Sequence, residues 1–600
     1  MPKAKEPEPA LQELALESSR LKKLVVRNFR CIGNVPVEIE LNDIVVLVGP
    51  NNAGKSTILR AYEVVMNHGS KAGELTIEDF PGEKVDLQAL PEIELQTYVK
   101  DDRPAEHWLH EDEETKQKFV RERWIWNGPG APKRQGHRAN ANDWDEHVPW
   151  GAPNIAKVRR PQPQRIDAFA SPKEQADKIV ELLKKALIEK AKLAKDDGAS
   201  ASAYTKLKSY IAEVQKEVLG ETQATISDIE AQLSNLITEV FAGFSVSFEA
   251  KPEEIGDKAL NLFATNPLLR MGPADGHMAP IDQQGSGARR TLMWAALKLL
   301  GEQAPSPKPG KVTAKKPTSD AVGADDNPRP NVLLIDEPEI CLHPNAIREA
   351  CRVLYDLAKP GNNWQVMVTT HSPVFIDLAR DNTTIVRVER TASGAIEGTT
   401  VFRPDRVKLD DNDRRNLKLL NTWDPYVGEF FFGGRTILVE GDTEFSVFRW
   451  LIDEDPSTFR DVHVVQARGK GILIPLIKIL NHFGLANYAI LHDSDRPTTA
   501  TGEKNSAWGT NESILNAVNA CPDPSRVRLT AAVPDFEGAL FGTSSSSEKP
   551  YKAVLALKGD ASLKTKARQL LEALLDHSKS LPSGVVHWKE LVELEKALGN

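Results

Sequence analysis

Cysteine is scarce in this chain: four residues in 600, Cys31, Cys341, Cys351 and Cys521, with no CxxC pair among them. That scatter excludes a zinc module and a disulfide framework, and it suits a reducing compartment. Long apolar runs are missing as well. No stretch approaches the roughly 20 residues that span a bilayer, and the opening MPKAKEPEPALQEL lacks the apolar segment of a signal peptide. A soluble, cytoplasmic protein without a membrane partner is the expectation. Positive charge is not in excess either. The net charge of −9 excludes a basic nucleic-acid coat, so any DNA contact must rest on a local patch or on bound cations. Internal repeats are absent.

What is present is an ordinary globular composition, 40% hydrophobic and 27% charged. A chain of this length exceeds one core and implies about three to four domains. LKKLVVR (21–27) and DIVVLV (43–48) are short, β-branched and bounded by turn residues, which predicts strands, with a helix from Lys55 to about Met66. Residues 92–99 and 117–126 alternate as further strands. The segment 127–165 is rich in Gly, Pro, Asn and Trp without a period and is read as a loop-rich insertion. From 173 to 241 the pattern turns helical. Leu207, Tyr210, Ile211, Val214 and Val218 share one face; so do Ile226, Ile229, Leu233, Leu236, Ile237 and Val240. DDGASAS (196–202) breaks the first helix from the second. This block reads either as a hairpin for self-association or as a bundle packed on its own domain.

APSPKPGKVTAKKPTSDAVGADDNPRP (304–330) cannot bury a core and is expected to be disordered. Strand and helix signals resume at NVLLID (331–336), 344–358 and QVMVTT (365–370). A second set follows at TILVE (436–440), VHVVQ (462–466), NYAILH (487–492) and RVRLTAAV (526–533). Strands alternating with helices predict parallel sheets with helical crossovers in both halves.

GPNNAGKS, Gly49 to Ser56, fits G-x-x-x-x-G-K-S between a strand and a helix. Gly49, Asn51, Asn52 and Gly54 would wrap backbone N–H groups around phosphate, and the helix N-terminus adds its positive end. Lys55 would hold the outer phosphates of ATP and Ser56 a Mg²⁺ ion, with Thr57 a further small helix-start residue. LLIDEPE (333–339) ends a strand on Asp336, able to hold Mg²⁺ through water, beside Glu337, able to orient or deprotonate the attacking water. TTHSP (369–373) puts His371 after the next strand, where it can sense a γ-phosphate.

Glu440 ends another strand, and Gly441-Asp442 opens a helix that brings Glu444 to the same side. An acidic pair at a helix start is also common surface chemistry. About fifty residues on, however, NYAILHDSDRP ends a second strand in Asp493-Ser494-Asp495. Alternate residues of an extended stretch point the same way, so both aspartates can converge. In parallel α/β sheets the strand C-termini share one edge. Four carboxylates there repel unless cations neutralise them, and oxygen ligands without His or Cys favour Mg²⁺ or Mn²⁺. Two such ions about 4 Å apart are the usual apparatus of phosphodiester hydrolysis.

Two resemblances follow. GPNNAGKS, QQGSGARR (283–290), LLIDEPEICLHP and TTHSP, in that order, resemble the ABC-type ATPases of the SMC/RecF class. The resemblance implies that Ser286 and Gly287 touch γ-phosphate across a dimer, that CLHP is the D-loop and that His371 is the switch histidine. Gln96 is a candidate Q-loop glutamine. The signature departs from the transporter LSGGQ.

The second acidic set resembles the Toprim domain, with Glu440 as its invariant Glu, Asp493 and Asp495 as its DxD, and Glu444 as the extra acid of nuclease branches. Gly469-Lys470-Gly471 matches the glycine turn and would present Lys470 to DNA phosphate. Glu537 in VPDFEGAL is a further metal ligand, and Lys589, or else Lys549 or Lys552, completes the site.

The whole chain is similar to the OLD (overcoming lysogenization defect) family, of which antiphage Gabija nucleases are a branch. This implies an α/β chain with ATPase segments at 20–172 and 242–425, a helical dimerisation insertion at 173–241 and a Toprim nuclease domain at 426–600. It implies a homodimer or higher oligomer that cuts or nicks DNA under ATP control, with a helicase as a possible partner. An ATPase clamp whose Toprim domain binds without cutting is the alternative, and the second-ion ligands Glu444 and Glu537 speak against it. A topoisomerase would need a tyrosine-bearing DNA-binding domain, and a primase a zinc module.

Overall fold

The computed structural model describes residues 19–99, 104–153, 156, 159–167, 171–191, 226–238, 243–249, 268–302, 330–359, 362–378, 380, 382–391, 394–403, 406–407, 409–424, 427–483, 488–499, 501–542 and 548–599. Residues 304–329 of the expected linker, Leu207 to Val218 of the helical block, and Val240 lie outside them. Two compact units form: Met1–Asp43 with Ser56–Val368, and Ile44–Lys55 with Thr369–Asn600. Among the described residues no helix is long and apolar enough to cross a membrane.

In the first unit, alternating residues build a seven-stranded antiparallel sheet. Its order is Val37–Glu40, Arg20–Arg27, Glu92–Tyr98, Lys118–Ile125, Lys133–Arg138 and Asp143–Asp145, with His110–Glu111 added to Lys118–Ile125. Leu24, Val26, Ile39, Ile93, Leu95, Val120 and Trp124 are buried. This sheet comes in addition to the parallel pairing expected in both halves, and its neighbouring strands connect as antiparallel pairs that need no helical crossover.

The segment read as loop-rich also holds structure. KRQGHR (Lys133–Arg138) is a strand without one apolar side chain, so hydrophobic alternation cannot reveal it. It buries Gly136, His137 and Arg134, whose Nε donates to Glu122 Oε1 at 2.9 Å, while Arg160 Nε donates to Oε2 at 2.9 Å. Two guanidiniums around one buried carboxylate hold it ionised despite full burial. Gln162–Ile166, from the same segment, pairs in parallel with Asn331–Asp336. Helix Pro172–Ala191 and a helix over 226–238 occupy the described parts of the helical block. In the latter, Ile226, Ile229, Leu233 and Ile237 are buried within the chain.

In the second unit, Ile44–Val48 pairs in parallel with Thr383–Arg390, which pairs antiparallel with Ile396–Phe402. The helix Asp411–Trp423 starts on a reciprocal Asp410–Asp413 capping box. A five-stranded sheet follows, in the order Val462–Gln466, Arg435–Val439, Tyr488–Asp493, Val527–Ala532, Val585–His587. The first four strands are parallel and the last is antiparallel. One face of the sheet packs Phe448, Leu451, Phe536, Leu570 and Leu574 into a single core. Each such side chain is worth about 1.5–3 kcal/mol. Four parallel strands therefore deliver their C-terminal ends, at Val439, Gln466, Asp493 and Ala532, to one edge.

Candidate active site and nucleotide-binding elements

The P-loop begins where the fully buried strand Ile44–Val48 stops. Gly49 has φ +134°, and a Cβ there would lie 2.0 Å from the Val388 carbonyl oxygen, so the turn demands glycine. Asn52 and Gly54 also take positive φ; Asn51 is exposed. Lys55 is buried and opens the helix Lys55–Met66. Its ammonium donates to the carbonyls of Gly49 (3.0 Å) and Pro50 (2.9 Å) and to His371 Nε2 (3.0 Å). His371 is thus brought to the P-loop lysine, with Nε2 acting as acceptor.

Within the first unit, Ser56 Oγ donates to Asp336 Oδ1 at 2.9 Å. These are the two groups expected to hold Mg²⁺, and Arg165 lies 3.5 Å from the other Asp336 oxygen. Thr57 is buried, 3.4 Å from Cys31 Sγ. Glu337 has φ +46°, and its carbonyl accepts from Arg290 Nη1 at 3.1 Å. Ser286 and Gly287 open the helix Ser286–Glu302, and a Cβ on Gly287 would come within 2.9 Å of the Cys341 carbonyl. Gln96 is buried in the antiparallel sheet and gives its amide to Glu94 at 2.9 Å.

The second constellation lies at the parallel edge of the C-terminal sheet. Glu440 receives the Asp493 N–H on Oε2 at 3.2 Å, and its carbonyl accepts from Gly469 at 3.0 Å. Glu444, in the first turn of helix Asp442–Glu454, is buried. Gly441 permits this: a Cβ there would lie 3.0 Å from Glu444 Oε2. Asp493 accepts the Phe536 N–H at 2.8 Å, and Glu537, also buried, accepts from Thr443 Oγ1 at 2.8 Å.

Burial, with Glu444 and Glu440 adding like charge, pushes Asp493 up to about 9. Burial, with Glu440 and Glu537, raises Glu444 to about 7. Glu440 is also raised by burial, against the opposing pull of the Lys470 charge. Four carboxylates therefore share one poorly solvated field, the environment that hard divalent cations relieve. A cleft of about 550 Å³, lined by Glu440, Gly441, Asp442, Gln466, Arg468 and Gly469, opens beside them.

Three expectations need correction. Asp495 does not alternate with Asp493 along a strand: the strand ends at Asp493 and Asp495 sits at φ +61°. Its carboxylate turns to Lys470 Nζ at 2.6 Å. Lys470 in turn does not project toward solvent; it is buried and also donates to the Asp493 carbonyl at 2.6 Å. The third concerns the closing lysine. Lys549 approaches Glu537 Oε2 at 3.4 Å, whereas exposed Lys589 gives its backbone N–H to Glu593 at 2.6 Å; Lys552 is exposed on the helix of Lys549.

Among the described residues no group of three or more His, Cys, Asp or Glu is arranged to hold a metal ion as it stands. Asp495 is engaged by Lys470, and Glu537 by Thr443 and Lys549. The donor chemistry fits Mg²⁺ or Mn²⁺, and completing the set requires those two carboxylates to exchange partners.

A further support was not legible in the sequence. Trp588 Nε1 donates to His492 Nε2 at 3.2 Å, which leaves His492 Nδ1–H to donate to the Asp493 carbonyl at 2.7 Å. Burial and the Lys470 charge drive His492 down to about 3, so it is a neutral spacer between Trp588 and Asp493. Neither residue carries a motif; only the pairing of the last strand with Val527–Ala532 brings them together.

Comparison with known proteins agrees with both halves. A family model for an AAA ATPase domain matches residues 20–123 and 142–376, and a model for the overcoming lysogenization defect protein-like TOPRIM domain matches 431–495. The OLD nuclease of Thermus scotoductus is 24% identical over 566 residues, 90% of this chain and 95% of its own. The Old nuclease of Escherichia phage P2 is 23% identical over 500 residues, 79% of this chain and 77% of its own. An Smc head domain bound to the C-terminal domain of ScpA, from Pyrococcus furiosus, superposes with TM-score 0.39 at 16% identity, covering 64% of this chain and 96% of that one. With more than half its length in the first match, the chain belongs to the AAA ATPase domain family and joins that ATPase to an OLD-like TOPRIM domain.

Proposed function

We propose that this protein is a nuclease that cuts or nicks DNA with divalent metal ions under ATP control. The observation that carries this reading is the convergence of Glu440, Glu444, Asp493 and Glu537, all mostly buried and mutually repelling, on one parallel sheet edge. The two OLD nuclease relatives support it. Bound by Glu440, Asp493 and Asp495, with Glu444 and Glu537 for a second ion, Mg²⁺ or Mn²⁺ supplies water activation and charge neutralisation for phosphodiester hydrolysis. The chain's own contribution is positional. Phe536 N–H and the Trp588–His492 pair fix Asp493 from both sides. Lys549 offers a cation to phosphate beside Glu537.

ATP with Mg²⁺ is assigned to Gly49, Asn51, Asn52, Gly54, Lys55, Ser56 and Thr57, together with Asp336 and His371. Glu337 is the base, and Ser286 and Gly287 act across a homodimer or higher oligomer. The four free thiols suit a cytoplasmic enzyme, and phage defence or DNA processing, with or without a helicase partner, is the setting. The test is plasmid nicking with Mg²⁺ or Mn²⁺, with and without ATP, on wild type and Glu440→Ala. Nicking that survives in the variant overturns the reading.

A further inference from the structure

We propose that Lys470 is the resident counter-cation of the carboxylate site and a positioning residue for Asp495. Its ammonium holds one oxygen of the carboxylate that a divalent ion would use, so the ion and Lys470 compete for Asp495. This rests on the nuclease reading of the site and adds to it a built-in competitor for metal.

Three observations carry it. First, Lys470 is buried, and its Nζ reaches Asp495 Oδ2 and the Asp493 carbonyl, both at 2.6 Å, so the lysine points into the carboxylate site. Second, the location is costly for a cation. Lys470 is the first residue of helix Lys470–Phe483, where the macrodipole is positive and the helix has no acidic residue in its first turn. A lysine at this point contradicts local helix preference, and such contradictions collect where function requires them. The preceding turn is built to deliver it: Arg468 and Gly469 both take positive φ, and the Gly469 N–H is tied to the Glu440 carbonyl at 3.0 Å.

Third, Asp495 is the member of the set that can change partner. Its backbone is anchored, with Ser494 N–H on Ala532 O (2.8 Å) and Asp495 N–H on Pro534 O (2.9 Å). Its side chain is 30% exposed, against 6% for that of Lys470. A side-chain rotation alone therefore moves the carboxylate between ammonium and metal. With Lys470 engaged, one positive charge already offsets the acidic field. An arriving divalent ion meets that charge as repulsion and must displace it.

The experiment is Mn²⁺ binding to the nucleotide-free full-length protein, by calorimetry and by electron paramagnetic resonance of free Mn²⁺, for wild type, Lys470→Met, Lys470→Arg and Glu440→Ala. Removing the competing charge is expected to tighten Mn²⁺ binding about tenfold in Lys470→Met, while Lys470→Arg stays near wild type. Melting in EDTA is expected to show Lys470→Met less stable than wild type, with the deficit erased by Mn²⁺. A lysine with a merely structural role would give a deficit that Mn²⁺ leaves in place. Unchanged or weaker Mn²⁺ binding by a Lys470→Met protein that still melts cooperatively overturns the proposal and leaves the nuclease reading standing. Absence of any Mn²⁺ binding that Glu440→Ala removes overturns both.

Discussion

The backbone N–H of Asp493 rests on the Glu440 carboxylate at 3.2 Å, so the acid that ends one strand is fixed by the acid that ends its neighbour. The Glu440 side chain therefore has two separable properties, an oxygen that accepts this bond and a negative charge.

Glu440→Gln separates them. The amide oxygen keeps the bond to Asp493, so the melting temperature in EDTA should stay at or above that of wild type. Metal-dependent nicking should fall by at least about a hundredfold, beyond the 10- to 100-fold typical of residues that only support metal ligands. Retained nicking with retained stability would show that the charge of Glu440 is not needed.

Asp493 and Glu444 make metal stabilisation depend on pH. Their carboxyls are raised in the fold, to about 9 from 3.8 and to about 7 from 4.5. For acids raised on folding, the stability they contribute is complete below the ordinary value and is lost as pH rises through the folded one. Without metal, these two groups should weaken the second unit progressively between about pH 4 and pH 9. Added Mg²⁺ or Mn²⁺ should thus raise the melting temperature more at pH 8.5 than at pH 6. Scanning fluorimetry at the two pH values decides it, and an equal shift at both would count against a shared carboxylate field.

Lys55→Ala should abolish detectable ATP binding. Truncating one partner of a buried charge pair costs about 2–5 kcal/mol, roughly thirtyfold or more in affinity. Ser56→Ala is expected to behave differently, losing only the Mg²⁺-dependent part, because its hydroxyl meets Asp336 at 2.9 Å. Titration of a fluorescent nucleotide with and without EDTA distinguishes them. If Ser56→Ala loses affinity equally in EDTA, its hydroxyl serves the phosphates directly.

His492→Phe keeps the ring and removes the donor to the Asp493 carbonyl. Metal affinity should drop by about 10- to 100-fold, as for outer residues that orient metal ligands. Trp588→Phe, which deletes the donor to His492 together with part of the buried ring, should show a smaller change in the same direction. Mn²⁺ calorimetry on both variants tests the order; a larger effect at Trp588 would mean that packing, not the hydrogen-bonded chain, holds Asp493.

The parts legible from sequence were those whose chemistry is contiguous along the chain. The helix Lys55–Met66 and the strand Asn331–Asp336 stand where the P-loop and the acidic pair predict them. Glu537 is legible because it follows the strand that ends at Ala532, and parallel topology sends that end and Asp493 to one edge. The failures share a cause. The positive φ of Asp495 and the inward turn of Lys470 follow from tertiary bonds to Pro534 and Asp493 that no local pattern encodes. Likewise KRQGHR is a strand because Arg134 has a buried carboxylate to meet, which only the neighbouring strand reveals. Lys549, one of three candidate lysines, approaches Glu537, and nothing in the sequence contexts of Lys549, Lys552 and Lys589 says which of them does.

The anchored turn at Ser494–Asp495 has a kinetic consequence. Rotamer changes at partly exposed side chains take picoseconds to nanoseconds, whereas local opening of strands takes microseconds or longer. Because the Asp495 backbone stays bonded to Pro534 while only its carboxylate turns, arrival of an ion demands no breathing of the sheet. On the metal-dependent reading, shedding of water by the ion then adds to the displacement of Lys470 as a barrier to charging the site, so Mg²⁺, which dehydrates reluctantly, should enter more slowly than Mn²⁺ even where both end at the same oxygens.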